Sequence, residues 1–344
     1  MGAEPRLWIL SKGRKGDLDQ MLALADAVGW PCEVKRLSFA KPEIPALAPV
    51  LLKPTSDALS PPWPDVVMCA EALPCAIARR LKRQSGGKIR TVCLGRPAGD
   101  PADFDLVLTT AQYRLPPAAN IVELQMPLAG ASFSETVSAY EFSGTRPLIA
   151  LIVGGSAFPD MLDDATAERL AAELQAHADT RGGTLAVHTS PRTNHASVDV
   201  FRRAIKAPHR LHVFGEGGNL YRPLLMAADE IVVTSDSVSM VADALDASKP
   251  VAVYRLPQKR TVMWHAAEWL YRHAVAAPSP LLAPVKWLFD AGVMEASADR
   301  HLLFAKLVEE NRIGWFGMPL PPPDPDMSRQ DLLMAADSLR AMLK

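Results

Sequence analysis

Ala228-Asp229-Glu230-Ile231-Val232-Val233-Thr234-Ser235-Asp236-Ser237-Val238-Ser239-Met240 is the stretch that decides the fold class of this chain. Ile231, Val232 and Val233 form a short β-branched run that gives way to small hydroxyl residues, the pattern of a buried strand and its end. Val241-Ala242-Asp243-Ala244-Leu245 continues with helical character and stops before Lys249-Pro250. A buried strand that runs through a short turn into a helix is the repeating βα unit of a parallel sheet. The free N–H groups and hydroxyls of such a helix start favour an anion, through hydrogen bonds and the helix dipole. Capping accounts for Ser235 and Ser237 equally well, because serine is among the preferred N-cap residues.

The same alternation runs outward in both directions. Towards the N-terminus, apolar runs at 7–10, 33–37, 65–69, 91–94, 106–109 and 121–124 read as strands, with helices at 17–28 and 71–83. A second series restarts at 147–153, after the polar stretch 141–146, and continues at 185–188, 211–214, 231–233 and 251–254. The fold class is therefore α/β, with two parallel sheets. A length of 344 residues suits two domains, predicted at 1–143 and 147–318, with 141–146 as the linker. Ser328-Arg329-Gln330-Asp331 opens a terminal helix, 328–344, whose Leu332, Ala335, Ala336, Leu339 and Leu343 share one face. Thirty prolines, densest at 41–64 and 319–325, mark stiff connections.

Composition excludes several classes of function. Lys and Arg (37) balance Asp and Glu (38), so no nucleic-acid partner is expected. No apolar run is long enough to span a bilayer, and no secretory core precedes Leu7, so a cytoplasmic location is expected. Cys32, Cys69, Cys75 and Cys93 lack the paired spacing of a zinc site and are expected to be buried thiols, with no metal site.

Four loops after strands of the second series carry candidate binding residues, since ligands of open parallel sheets sit at the carboxyl ends of the strands. Gly154-Gly155-Ser156 allows a phosphate to approach the backbone, though a Gly-Gly pair is also an ordinary turn. In Thr189-Ser190-Pro191-Arg192-Thr193, Arg192 suits bidentate phosphate contact. Gly215-Glu216-Gly217-Gly218-Asn219 exposes backbone groups towards a base and ends in Asn219, a helix cap. The fourth is the opening stretch, with Ser235, Ser237, Val238, Ser239 and Met240 at the phosphates and Asp243 placed to hold ribose hydroxyls. In the first series, Asp17 is either a general base or a helix cap, Glu71 is a second candidate base, and Lys12 or Lys15 can neutralise phosphate charge. Met263 to His273 combines aromatic and basic residues and reads as core packing before membrane contact.

The chain resembles the bacterial glycosyltransferase-like family related to the plant "elongated mitochondria" fission factor. The resemblance rests on Trp8-Ile9-Leu10-Ser11 with Gly13, Gly16 and Gln20, on the four loops above, and on Lys249-Pro250-Val251. It is similar too to the N-acetylglucosaminyltransferase that completes the lipid-linked peptidoglycan precursor. The resemblance implies a GT-B architecture, two Rossmann-like domains facing across a cleft, with the terminal helix crossing back. It implies sugar transfer from a nucleoside diphosphate sugar, a uridine diphosphate sugar first, to a hydroxyl acceptor, lipid-linked or of the cell envelope, without cofactor; peripheral contact at the inner membrane is the second reading of the Met263 to His273 segment. Where both groups carry Gly-His, this chain has Gly16-Asp17. An epimerase or hydrolase of nucleoside diphosphate sugars, and a non-catalytic adaptor of the same fold, remain alternatives.

Overall fold

A computed structural model of the protein describes residues 4–40, 51–128, 139–277, 279–290, 294 and 298–343. The prolines expected to stiffen 41–64 fall partly at 41–50, outside these residues. The chain divides into two compact units, Met1–Ala131 with Thr261–Asp299 and Arg329–Lys344, and Ser132–Arg260 with Arg300–Ser328.

In the first unit the strands are β1 (Leu7–Ser11), β2 (Cys32–Arg36), β3 (Val66–Ala70), β4 (Arg90–Leu94), β5 (Leu106–Thr110) and β6 (Ile121–Leu124), all parallel, in the order β2-β1-β3-β4-β5-β6. Helix α1 (Lys15–Val28) follows β1, and α2 (Ala72–Gln84) follows β3. β1, β3 and β5 are buried along their whole length, which is why they read as continuous apolar runs rather than alternating ones.

The second unit has its own sheet of β7 (Leu148–Ile152), β8 (Thr184–His188), β9 (Arg210–His212), β10 (Glu230–Thr234), β11 (Val251–Tyr254) and β12 (Gly314–Trp315), again parallel, in the order β12-β11-β10-β7-β8-β9. Counted within the unit this is the 3-2-1-4-5-6 order of a dinucleotide-binding fold, with its switch point between β7 and β10. Helices α3 (Asp164–Thr180), α4 (His195–Ala204), α5 (Tyr221–Ala227) and α6 (Val238–Asp246) connect the strands. β9 ends at His212 rather than at 214, because the Phe214 N–H bonds the Thr189 hydroxyl (2.9 Å) instead of a neighbouring strand. β12 has two residues, too few to leave a periodic signal.

Two stretches lie elsewhere than the sequence places them. The helices α7 (Val262–Tyr271) and α8 (Ala283–Asp290), expected within 147–318, belong to the first unit. An Arg114–Glu268 ion pair and a hydrogen bond from the Tyr271 hydroxyl to Tyr113 O (2.7 Å) hold α7 there, and Lys286 of α8 pairs with Asp100 (3.4 Å). Such partners lie more than 150 residues away in sequence. The stretch 141–146 is not a free linker: Arg210 donates to Glu141 O (3.2 Å) and Arg146 to Asp229 (2.6 Å), both within the second unit. After α9 (Arg300–Glu309), α10 (Met327–Ala341) ends the described chain. Its Ala335, Ala336 and Leu339 are fully buried in the core of the first unit with Leu7, Ile9 and Leu24. Asp331, in the stretch expected to open this helix, accepts the backbone N–H groups of Gln125 (3.1 Å) and Met126 (2.9 Å) beyond β6. Among the described residues no helix is long and apolar enough to cross a membrane.

Candidate functional site

All strands of the second sheet are parallel, so the loops after β7, β8, β9 and β10 emerge at one edge. At the switch point, the turn after β7 is pressed against the turn after β10. Gly154 N–H donates to the Thr234 hydroxyl (2.9 Å) and Gly155 N–H to Asp236 Oδ2 (3.0 Å). A Cβ on Gly154 would collide with the Asp236 carboxylate, and one on Gly155 with the Arg192 carbonyl. Both glycines are therefore required by loop-to-loop contact, before any ligand is considered.

Asp236 is the centre of this junction. Its side chain is fully buried, accepts the Thr234 hydroxyl (2.6 Å) and pairs with Arg192 (2.7 Å). Burial pushes its carboxyl above the usual range, against the opposing pull of the Thr234 hydrogen bond and the Arg192 cation. Arg192 is half exposed, so part of its guanidinium stays open to solvent at the edge. The loop that carries it is fixed by Ser190 and Thr193, whose hydroxyls donate to Gly154 O, the latter at 2.7 Å. Ser190, Arg192 and Thr193 are thus brought together with Gly154 and Gly155. Ser156 turns outward, and its hydroxyl accepts the Leu162 N–H (2.9 Å). Thr189 is buried and spends its hydroxyl on Phe214 N–H, as described above.

On the β10 side, Ser235 is buried and accepts the Leu256 N–H (3.0 Å). Ser237 caps α6 through Met240 N–H (3.4 Å) and lies 3.3 Å from the exposed Ser239 hydroxyl; Val238 between them is buried. Asp243, in the same helix, accepts the Tyr221 hydroxyl (2.8 Å), and the Tyr221 ring packs on His188 at the end of β8. The loop after β9 is the most open of the four. Gly215 and Gly217 have φ of +85° and +69°, left-handed conformations that favour glycine, and Glu216 pairs with Arg202. Asn219 stands one residue before the cap position of α5 and accepts Tyr221 N–H (3.3 Å).

Asp160 was invisible to sequence reasoning. It is fully buried and takes hydrogen bonds from Arg300 (2.7 Å), His301 (2.9 Å) and Gln258 (3.1 Å), so that α9 locks the loop after β7 to the loop after β11. Burial alone would raise its carboxyl, but these three donors outweigh burial and hold it below the usual range.

The first unit carries a different edge. A cavity of about 440 Å³ lies beyond the carboxyl ends of β1, β3 and β4, lined by Lys12, Arg14, Asp17, Glu71, Arg96 and Tyr113 among others. Arg14, not Asp17, is the cap position of α1; Asp17 is the third residue of the helix and faces the cavity. Arg14 Nη1 lies 3.8 Å from Asp17 and 3.7 Å from Glu71, and Lys12 lies 3.7 Å from Glu71. Burial pushes the Asp17 carboxyl up, opposed by Arg14 and by its hydrogen bond with Glu71. Glu71 is raised by burial and by the Asp17 charge, with Arg14 and Lys12 opposing. Glu71 also holds φ +67°, uncommon for a residue with a side chain. The two carboxyls that the sequence singled out therefore share one cavity. Arg14, Arg96 and Tyr113 join them without any motif to announce them.

Residues 15–293 match the sequence family described as mitochondrial fission ELM1. The chain belongs to this family. No curated protein matches this family member. Among solved structures, that of the glycotransferase of kitacinnamycin is similar over 100% of both chains, with 13% identity and a TM-score of 0.53. Acinetobacter baumannii MurG aligns over 97% of this chain and 99% of its own, with 15% identity and a TM-score of 0.45. The S. aureus MnaA–UDP co-structure aligns over 91% and 100%, with 11% identity and a TM-score of 0.47. With its two Rossmann-like parallel sheets, this ELM1-family chain has the GT-B fold.

Asp246, one turn beyond Asp243, has its carboxyl pushed up to about 6 by burial, aided by the Asp243 charge and opposed by a hydrogen bond with Ser328. A raised carboxyl stabilises the folded chain in its protonated form, so this contribution is complete below the unfolded value of about 4 and is lost as pH rises through about 6. Asp246→Asn is therefore expected to gain on the order of 2 kcal/mol at about pH 8 and nothing below about pH 4. Urea denaturation at both pH values measures it; an equal effect at the two would contradict the assignment.

Proposed function

We propose that the protein transfers a sugar from a nucleoside diphosphate sugar to a hydroxyl acceptor, with the donor held at the carboxyl edge of the second sheet. The observation that carries this reading is the junction of Gly154, Gly155, Arg192 and Asp236 at the switch point, beside the capped start of α6. There the open part of Arg192, the exposed Ser239 hydroxyl and the first N–H groups of α6 suit a diphosphate. Asp243, already oriented by Tyr221, suits the ribose hydroxyls, and the left-handed glycine loop after β9 suits a base edge. Diphosphate charge that grows as the glycosidic bond breaks would be met by these fixed donors, which need no reorganisation during the reaction.

The acceptor reading falls to the cavity of the first unit. A carboxylate raised above its usual range remains a base near neutral pH and is stronger than an ordinary aspartate. Asp17 fits that task, with Glu71 as its partner and Arg14 as the cation that sets how readily both ionise. An acceptor carrying phosphate would find Arg96 and Lys12 in the same lining.

A membrane-borne acceptor has structural support of its own. The Met263 to His273 stripe divides between core and surface: in α7 Glu268 and Tyr271 are buried, Tyr271 in a cluster with Ala274 and Val275, while Val262 is 87% and Met263 81% exposed. Trp269, Leu281 and Trp287 are exposed as well, and so is the cation Arg272. Amphipathic surfaces of this composition bind at the lipid headgroup boundary.

Calorimetry, turnover assays and vesicle flotation test the reading. Calorimetry with uridine diphosphate is expected to show binding that weakens by about tenfold or more in Arg192→Ala and less in Ser237→Ala; indifference to both sinks the donor site. With donor and acceptor, Asp17→Asn should lower turnover by about 100-fold or more and leave uridine diphosphate affinity intact. Because Arg14 holds the Asp17 carboxyl down, Arg14→Ala should move the acid limb of the pH profile to higher pH, and a shift to lower pH would contradict the base assignment. Donor turned over as readily without acceptor would instead indicate an epimerase or hydrolase. Flotation with anionic vesicles should retain the wild-type chain and lose the double variant Met263→Asp, Trp269→Asp; equal retention removes the membrane surface.

A further inference from the structure

Cys69 near the end of β3, Cys75 in the first half of α2 and Cys93 near the end of β4 converge in the first unit. β3 and β4 pair with Cys69 directly opposite Cys93, and α2 lays Cys75 over that pair. Cys75 Sγ lies 3.6 Å from Cys69 Sγ and 3.5 Å from Cys93 Sγ. All three side chains are inaccessible to solvent, whereas Cys32 is exposed. The three sulfurs lie within 4.8 Å of one another, and among the described residues no further His, Cys, Asp or Glu joins the group.

A compact triangle of sulfurs is a donor set for a soft, thiophilic cation. A metal–sulfur bond of about 2.3 Å at the centre of an equilateral triangle separates its sulfurs by about 4.0 Å. The 3.5 and 3.6 Å separations thus require the side chains to part by only a fraction of an ångström. Zinc takes four ligands in a structural site, and the surroundings here are apolar: Leu73, Ile77, Leu81 and Val107 belong to the same core. Monovalent copper is soft and is satisfied by three thiolates, so donor type and donor number both select it.

We propose that Cys69, Cys75 and Cys93 form a buried trigonal site for monovalent copper. The ion binds as Cu(I) and leaves as Cu(I), with no electron transferred; each thiol that ligates releases its proton to solvent, and no bond other than S–H is broken. The negative charge left on the sulfurs lies at the first half of α2, near the Ala98 N–H and Arg79. Entry is from the cavity, because Ala70, Leu73, Leu94 and Ala98, neighbours of the three cysteines, line it. The paired C-x-x-C spacing that reveals such sites in sequence is absent, since one ligand comes from each of three elements.

The test is anaerobic titration of the reduced full-length chain with Cu(I) in competition with bathocuproine disulfonate. One equivalent is expected to be withheld from the chelator, and X-ray absorption of that complex should show three sulfur neighbours at about 2.3 Å. Cys75→Ser and Cys93→Ser should each lower the withheld fraction by about tenfold or more, while Cys32→Ser should not change it. No withheld copper, or nitrogen and oxygen neighbours in the wild-type complex, overturns the proposal. So does equal binding by Cys75→Ser, and the wild-type absorption spectrum decides the matter even where a serine variant fails to fold. Zinc that displaces the bound Cu(I) when added in equal amount would overturn the choice of ion.

Discussion

The second unit depends on one steric constraint, the contact of two loops at the switch point of its sheet. The turn after β7 lies so close to Asp236 and Arg192 that neither Gly154 nor Gly155 has room for a side chain. That closeness allows a buried carboxylate to accept a backbone N–H, a hydroxyl and a guanidinium at once. An aspartate buried with fewer partners would be costly, since removing a charge from water is offset only by good geometry. Once the junction is made, the loop after β8 is fixed by Ser190 and Thr193, and α6 starts where its N–H groups meet the same edge. Asp160 does the same work one layer out, where Arg300 and His301 bring α9 onto the loop after β7.

The first unit has a similar sheet and uses its edge differently. Its switch point, between β1 and β3, holds no glycine junction but a water-accessible cavity with two carboxyls and several cations. Burial raises both carboxyls and the Asp17 charge raises Glu71 further, while Arg14 lowers both and Lys12 lowers Glu71. One edge is thus built from satisfied hydrogen bonds and the other from a cluster of opposed charges. The first arrangement holds a geometry; the second suits a change of protonation. The GT-B fold accommodates both, and function is argued from these sites rather than from the fold.

Legibility in the sequence followed the range of the interaction. The strands of both sheets could be read because burial on both faces leaves continuous apolar runs, and the apolar face of α10 appeared as a helical period. Candidate residues at strand ends were found for the same reason, since the end of a run locates the loop. Their detailed engagement was not visible. Ser190 and Thr193 serve Gly154 O, and Ser235 serves Leu256 N–H, contacts whose partners sit in the loops after other strands. Asp331 stood in a stretch that looked like a helix start and proved to bind backbone groups about 200 residues away. The stripe of α7 is core at Tyr271 and exposed at Met263 and Trp269, because periodicity shows that a face is apolar and not what covers it.

The sequence by itself determined two parallel α/β sheets, the positions of the loops that end their strands, and the family. These follow from local hydrophobic patterning and from short contiguous motifs, which need no knowledge of distant partners. Only the tertiary structure decided that α7 and α8 pack with the first unit, and that Asp160 and Asp236 are buried anchors. Only it brought Cys69, Cys75 and Cys93 to one point. Each of those outcomes is a meeting of side chains from separate elements. The free energy that favours such a meeting depends on partners and burial, and neither is written at the position of any one residue.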